Sequence, residues 1–315
     1  MEDLELTILG SSSAIPISNR NPSSQFLSIA NRHFLIDCGE GTQVRLRQNN
    51  IGFGRINHIF ISHLHGDHFY GLVPLLTSLH LLDRRKAINL YGPPELGEAV
   101  EGILKVSGAR LRFERIYHCT SSEQKKLIYE DEALKVFSFP LDHSMDCCGF
   151  LFQEKERPRN MNKEKLQEYR IPHAEIRKIK RGADWQSETG ETIANNELTE
   201  APAPPLSYAY CTDTLPRLDL DQYLPPVNLL YHEATFTDEH IERAEKTKHS
   251  TAKQAATVAH KVKANNLLLG HFSVRYRDLE VLLQEALSIF EPSHLALEDH
   301  VFSLKRGQST LHIRK

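Results

Sequence analysis

The 315-residue chain reads as an α/β protein of layered sheets and helices, interrupted by one charged excursion. Three observations lead there. Strand-like and helix-like segments alternate along most of the chain. Apolar strand-like runs stop repeatedly at histidine, aspartate or glutamate. Between residues 153 and 200 apolar periodicity gives way to charge, with the positive residues concentrated up to Arg181. One large domain, residues 1–315, with an inserted segment at 153–200 is therefore expected.

Residues 4–10 form a first strand, closed by the small-residue turn Ser11 to Pro16 and a polar loop reaching Ser24. Residues 25–37 pair as a hairpin turning at Asn31-Arg32, and a helix at 42–49 follows Asp37 to Gln43. Asp37 at that strand end either caps the turn or fixes the tautomer of a metal-binding histidine; both readings stay open. Residues 69–83 carry apolar side chains at helical spacing, with Pro74 tolerable near the first turn. A strand at 88–92 and a helix from 95 to 106 continue the alternation. Residues 134–152 return to strand character around His143. Tyr208 to Cys211 is an apolar strand stopping at Thr212-Asp213-Thr214, and Leu229 to His232 another stopping at Glu233. A short helix at 238–244 precedes Lys248-His249, and Ser250 or Thr251 opens a helix over 252–262. A last buried strand, from Asn266, opens at His271.

Composition narrows the class. No apolar run approaches the roughly 20 residues that span a bilayer, so no membrane association is expected. The opening Met-Glu-Asp-Leu-Glu-Leu lacks the basic and apolar regions of a signal peptide, and a cytoplasmic location is expected. The five cysteines are odd in number and lack C-x-x-C spacing, which predicts reduced, mostly buried thiols. A net charge of −3 does not by itself advertise a polyanion binder.

Chemistry is concentrated at residues 59–70, where Ile-Phe-Ile-Ser opens into His63-Leu64-His65-Gly66-Asp67-His68. Four potential metal ligands within six residues are too polar a cluster for a core, and their imidazole and carboxylate donors suit zinc. Alternate side chains converge where adjacent ones diverge, so His63 with His65 is assigned to one ion and Asp67 with His68 to a second. Such ions would sit about 3.5–4 Å apart. Each still lacks ligands, which must come from elsewhere in the chain.

The His-x-His-x-Asp-His string resembles the signature of the metallo-β-lactamase superfamily, which implies a four-layer αββα sandwich and hydrolytic chemistry. Leu9-Gly10-Ser11-Ser12-Ser13-Ala14-Ile15-Pro16 with Arg20-Asn21 and Ser23-Ser24, then Leu35 to Gln43, make the likeness sharper. These motifs resemble the short-form tRNase Z family of tRNA 3′-processing endoribonucleases, over nearly the whole chain. The resemblance implies removal of the 3′ trailer of precursor tRNA, leaving a 3′-hydroxyl, by two Zn²⁺ ions per subunit or another divalent metal. It places His143 as third ligand of the first ion, makes Asp213 the bridge between the ions, and gives Asp67 the role of general base. His271 completes the second ion. It also implies a homodimer and a protruding tRNA-binding arm at 153–200.

His249, in Lys248-His249-Ser250-Thr251, is not needed as a ligand and is free to protonate the departing 3′-oxygen, with Glu233 orienting it. Arg275 is the expected phosphate contact, because its planar fork matches two oxygens. From Gln153 to Arg181 ten Lys/Arg stand against five Glu, the pattern of a backbone-binding element, with Lys178, Lys180 and Arg181 as its densest group. The arm departs from the family's Gly-Pro-rich tip, offering Ile171-Pro172-His173-Ala174-Glu175 instead. Glu197 to Pro205, with Ala-Pro-Ala-Pro-Pro, reads as a stiff return linker.

Overall fold

A computed structural model describes residues 3–187 and 189–315. The strand Leu4–Gly10 is buried almost throughout and pairs with Val301–Leu304 on one side and Ser24–Ile29 on the other. The hairpin into Arg32–Ile36 turns one residue earlier than expected, through Ala30 (φ 51°) and Asn31 (φ 60°). Two left-handed residues make the turn whose twist matches the flanking strands, so Arg32 enters the ladder opposite Ile29. From here the strands run parallel, Arg32–Ile36 beside His58–Phe60, then Ile88–Gly92, then Arg115–Cys119; with His312–Arg314 antiparallel to Val301–Leu304 at the other edge, the sheet has eight strands. A second, seven-stranded sheet holds Lys126–Glu130, Leu134–Pro140, Cys148–Glu154, Ser207–Cys211, Leu229–Glu233, Leu267–Gly270 and Ser293–Leu295, the last four mutually parallel.

Side-chain alternation decides how the layers stack. Leu6, Phe34, Phe60 and Tyr91 of the first sheet share one apolar cluster with Val136, Phe150, Tyr208, Tyr231 and Leu268 of the second, so the sheets face each other. Phe60 stacks on Tyr91 at 4.3 Å between ring centroids and meets Phe150 edge-on. The opposite face of the first sheet, through Leu35, Ile59 and Leu90, packs on Leu46, Leu75, Leu76 and Val100 of the helices Thr42–Gln48, Leu72–Leu81 and Leu96–Val106. Ala209, Leu230 and Leu269 of the second sheet pack on Ala255, Val258 and Leu282 of Ala252–Lys261 and Glu280–Leu287. The layers are helix, sheet, sheet, helix. Thr251 is the residue that opens Ala252–Lys261, in a capping box with Gln254.

The expected helix at 69–83 is two elements. One turn, Gly66–Phe69, is followed by Leu72–Leu81, with Pro74 in the first turn of the latter. Gly71 separates them because its Cα lies against the carbonyl of Gly39; a Cβ there would stand 2.0 Å from that oxygen. The strands at 115–119 and 126–130 and everything after Tyr276 carry elements for which the sequence offered no assignment.

Residues 154–205 form a separate unit. Far from lacking a core, it gathers Ile171, Ile179, Trp185, Ile193 and Leu198 between the helices Lys163–Glu168, His173–Ile179 and Asn195–Leu198 and two short antiparallel ladders. The expected return linker is correspondingly shorter, since Thr199–Glu200 still pairs with Asn160–Met161. Among the described residues no helix is long and apolar enough to cross a membrane.

Candidate metal centre

Five strands deliver the site from their C-terminal ends, where peptide groups have run out of ladder partners and loops are free to turn inward. His63 and His65 leave His58–Phe60, and Asp67 and His68 lie in the turn Gly66–Phe69. His143 follows Leu134–Pro140, Asp213 follows Ser207–Cys211, Glu233 closes Leu229–Glu233, and His271 follows Leu267–Gly270. Gly39 allows this approach, since a Cβ there would stand 2.4 Å from the Asp67 carbonyl oxygen.

All seven expected ligands converge. His63 Nε2 and His143 Nε2 lie 3.0 and 3.2 Å from His65 Nδ1. On the other side His271 Nε2 is 3.3 Å from both His68 Nε2 and Asp67 Oδ2. Asp213 stands between the groups: Oδ1 is 3.3 Å from His68 Nε2 and 3.2 Å from His271 Nε2, whereas Oδ2 faces His63 and His143, each at 3.7 Å.

The outer hydrogen bonds settle what these rings present. Ser62 Oγ donates to Asp37 Oδ2 and so accepts from His63 Nδ1 at 3.0 Å. His68 Nδ1 donates to Asp37 Oδ2 at 2.6 Å, and His143 Nδ1 to the Lys248 carbonyl at 3.0 Å. Thr235 Oγ1 donates towards Glu233 Oε2 and accepts from His271 Nδ1 at 3.0 Å. Four imidazoles therefore hold their protons on the outer nitrogen and turn bare Nε2 lone pairs towards one another and towards two carboxylates. That arrangement repels itself unless a cation lies within it, so the donor set fits divalent metal.

The local charge agrees. Burial opposes ionisation of Asp213 and Asp67, yet His68 and His271 hold both well below the usual carboxylate range. Burial also opposes a charge on His68, but Asp213, Asp67 and Asp37 raise it well above the ordinary imidazole value, so the carboxylates favour a positive charge at its inner nitrogen, which a proton supplies where no metal ion does. Burial pushes His63 well down and His143 down. Cys147 Sγ lies 3.7 Å from the outer nitrogen of His63, and burial keeps it a protonated thiol.

His249 sits beside the cluster, its ring 5.3 Å from those of His143 and His271. Its Nδ1 donates to Glu233 Oε1 at 3.0 Å. Burial lowers its affinity for a proton, but the Glu233 carboxylate more than offsets this and raises it to about 9. Glu233 is fully buried and also accepts from Thr214 N and Thr235 Oγ1, so one carboxylate ties the segments bearing Asp213, His249 and His271.

Of three supporting partners, one was left open by the sequence and two escaped it. The open choice for Asp37 resolves towards the histidine, since the carboxylate also accepts from Ser62 N and Tyr210 Oη and the residue is left-handed (φ 54°). Ser62 carries no sequence signal at all. The third is the N–H of Ala14, itself left-handed (φ 65°), which donates to Asp67 Oδ2 at 2.7 Å. Arg275 is exposed on the loop after His271, its guanidinium over the Phe236 ring. Lys178, Lys180 and Arg181 lie in the 154–205 unit, where Lys178 pairs with Glu175 at 2.9 Å and the other two border a cavity with His173 and Arg177.

Among solved structures the chain is similar to the short form of human tRNase Z, 27% identical with a TM-score of 0.70, covering 95% of this chain and 98% of that one. It is also similar to the metallo-β-lactamase fold protein YhfI from Bacillus subtilis, 15% identical with a TM-score of 0.66, covering 95% and 98%. A family model described as anti-Pycsar protein Apyc1 matches residues 4–158. The fold is the metallo-β-lactamase fold, and this chain's His/Asp cluster lies at the strand ends. Curated relatives are closer: ribonuclease Z of Bacteroides fragilis is 42% identical over 96% of this chain and all of its own, and that of Cytophaga hutchinsonii is 44% identical over 95% and 96%. The chain belongs to the ribonuclease Z family.

Proposed function

We propose that the protein is an endoribonuclease that removes the 3′ trailer of precursor tRNA and leaves a 3′-hydroxyl on the tRNA. The observation that carries the reading is the convergence of five histidines and two aspartates at the strand ends, in a chain of the ribonuclease Z family. His63, His65 and His143 would hold one divalent ion, Asp67, His68 and His271 the other, with Asp213 offering an oxygen to each; the nitrogen-rich donor set favours zinc. Such ions supply Lewis acidity, lowering the pKa of a water and offsetting phosphodiester charge.

The chain's own groups supply the proton traffic. Ala14 N–H fixes Asp67 Oδ2, which leaves Oδ1 to take the proton of the attacking water. His249, held by Glu233 and carrying its proton, gives one to the departing 3′-oxygen of the tRNA. Arg275 meets a phosphate of the bound strand.

The inserted unit at 154–205, whose Lys/Arg residues all lie before residue 182, grips the tRNA backbone with that first half, Lys178, Lys180 and Arg181 among the residues that meet it. The enzyme works in the cytoplasm as a homodimer, a reading supported by the likeness to short-form relatives. Incubation with a precursor tRNA and mapping of the new ends tests the function. Hydrolysis of bis(p-nitrophenyl) phosphate without precursor cleavage would leave a phosphodiesterase with a different substrate.

A further inference from the structure

At the opposite end of the first sheet, where His58–Phe60 and Ile88–Gly92 begin, lies a cavity of about 460 Å³. Its floor is apolar, made by the buried Ile51, Phe53 and Leu79. Its rim is cationic. Arg47, Arg85 and Lys86 border it as exposed side chains, and among the described residues no carboxylate lines it. Arg85 pairs with Asp83 at 2.7 Å, whereas Arg47 lies over the Phe53 ring, 5.3 Å from its centroid. Arg84, also on the wall, is committed to the carbonyls of Ile56 and Ala87 and cannot reach a ligand without breaking them.

Two glycines on this wall point the same way. Gly52 has φ −67°, a conformation open to any residue, and Gly54 is not left-handed either. A Cβ built on either meets no atom within 4 Å. Neither backbone geometry nor crowding calls for glycine here, and a side chain would occupy the open space beside the cavity.

We propose that this cavity binds an amphipathic anion, an acyl chain of medium length bearing a carboxylate or phosphate head. The chain would lie on Ile51, Phe53 and Leu79, and the head would meet Arg47 and Lys86 at the rim. The volume is that of a small-molecule site, and an apolar floor beneath a rim where Arg47 and Lys86 meet no lining carboxylate is the complement of such a ligand. RNA is the poorer occupant. Stacking needs an open aromatic face, and Phe53 is 7% exposed with a guanidinium already over its ring.

Calorimetric titration of the full chain with decanoate, decyl phosphate and decyltrimethylammonium tests the proposal. Both anions bind, and the better of the two identifies the head group; the cation, with the same tail, binds at least about tenfold more weakly. Gly54→Leu fills the space and abolishes binding. Arg47→Gln with Lys86→Gln, at the exposed rim where folding is not at stake, weakens both anions about tenfold and leaves precursor tRNA cleavage unchanged. Equal affinity for the cation, failure to bind either anion, or undiminished binding by both variants would overturn the proposal. So would a double variant that loses precursor tRNA rather than decanoate, since the rim would then belong to the nucleic acid.

Discussion

Replacing His249 with alanine should separate proton donation from metal binding. The imidazole is held through one bond, Nδ1 to Glu233 Oε1 at 3.0 Å, and burial, which opposes its charge, is outweighed by the Glu233 carboxylate, which raises it to about 9. On the proposed mechanism its proton goes to the departing 3′-oxygen. Loss of a general acid costs on the order of 10²–10⁴ in rate, or about 3–5 kcal/mol of barrier. Single-turnover cleavage of precursor tRNA should fall by that factor. Bis(p-nitrophenyl) phosphate, whose leaving group departs without a proton, should lose far less. Metal content should stay the same, because the seven converging donors do not include His249. One cluster of donor atoms does unite His249 with Asp213 and His271, so elemental analysis matters: loss of an ion in His249→Ala would make it a ligand. Equal losses on both substrates would refute the acid role.

Asp213→Ala should remove metal and nearly all hydrolysis, because its two oxygens face the two donor groups separately; two retained ions and full activity would end the dinuclear reading. Asp37→Asn should lower metal affinity by about 10–100-fold without abolishing the fold, measured by competition with a chelator, since it weakens the grip on His68 and Ser62 together. Replacing residues 154–205 with a short linker should preserve hydrolysis of bis(p-nitrophenyl) phosphate while precursor cleavage collapses. Gln153 and Ser207 are opposite each other in an antiparallel pair, so a hairpin turn can close the gap. Neutralising Lys178, Lys180 and Arg181 together should flatten the salt dependence of tRNA binding by roughly 0.7–0.9 log units for each phosphate left without its cation, and an unchanged slope would move the grip elsewhere in the unit.

The metal loop was legible because its information is local. Four ligand-type residues within six positions have no place in a core, whatever the rest of the chain does, and the parallel strands of a two-sided sandwich announce themselves as apolar runs that end in polar residues. His143, Asp213 and His271 each stand one to three residues past an apolar strand, but for His143 and Asp213 it was the resemblance to a known family that singled them out as ligands. The strands 115–119 and 126–130 were not legible, because their side chains are only partly buried and leave no clear alternation. Nor was the core of the 154–205 unit, where five apolar residues are spread among some fifty positions dominated by charge. Asp37 could be suspected but not assigned, since its partners Ser62, His68 and Tyr210 lie 25, 31 and 173 residues away. Sequence by itself determined which donors exist and which strands carry them. Only the tertiary structure decided which nitrogen of each histidine faces inward, because that depends on hydrogen bonds between segments that meet when the two sheets pack face to face.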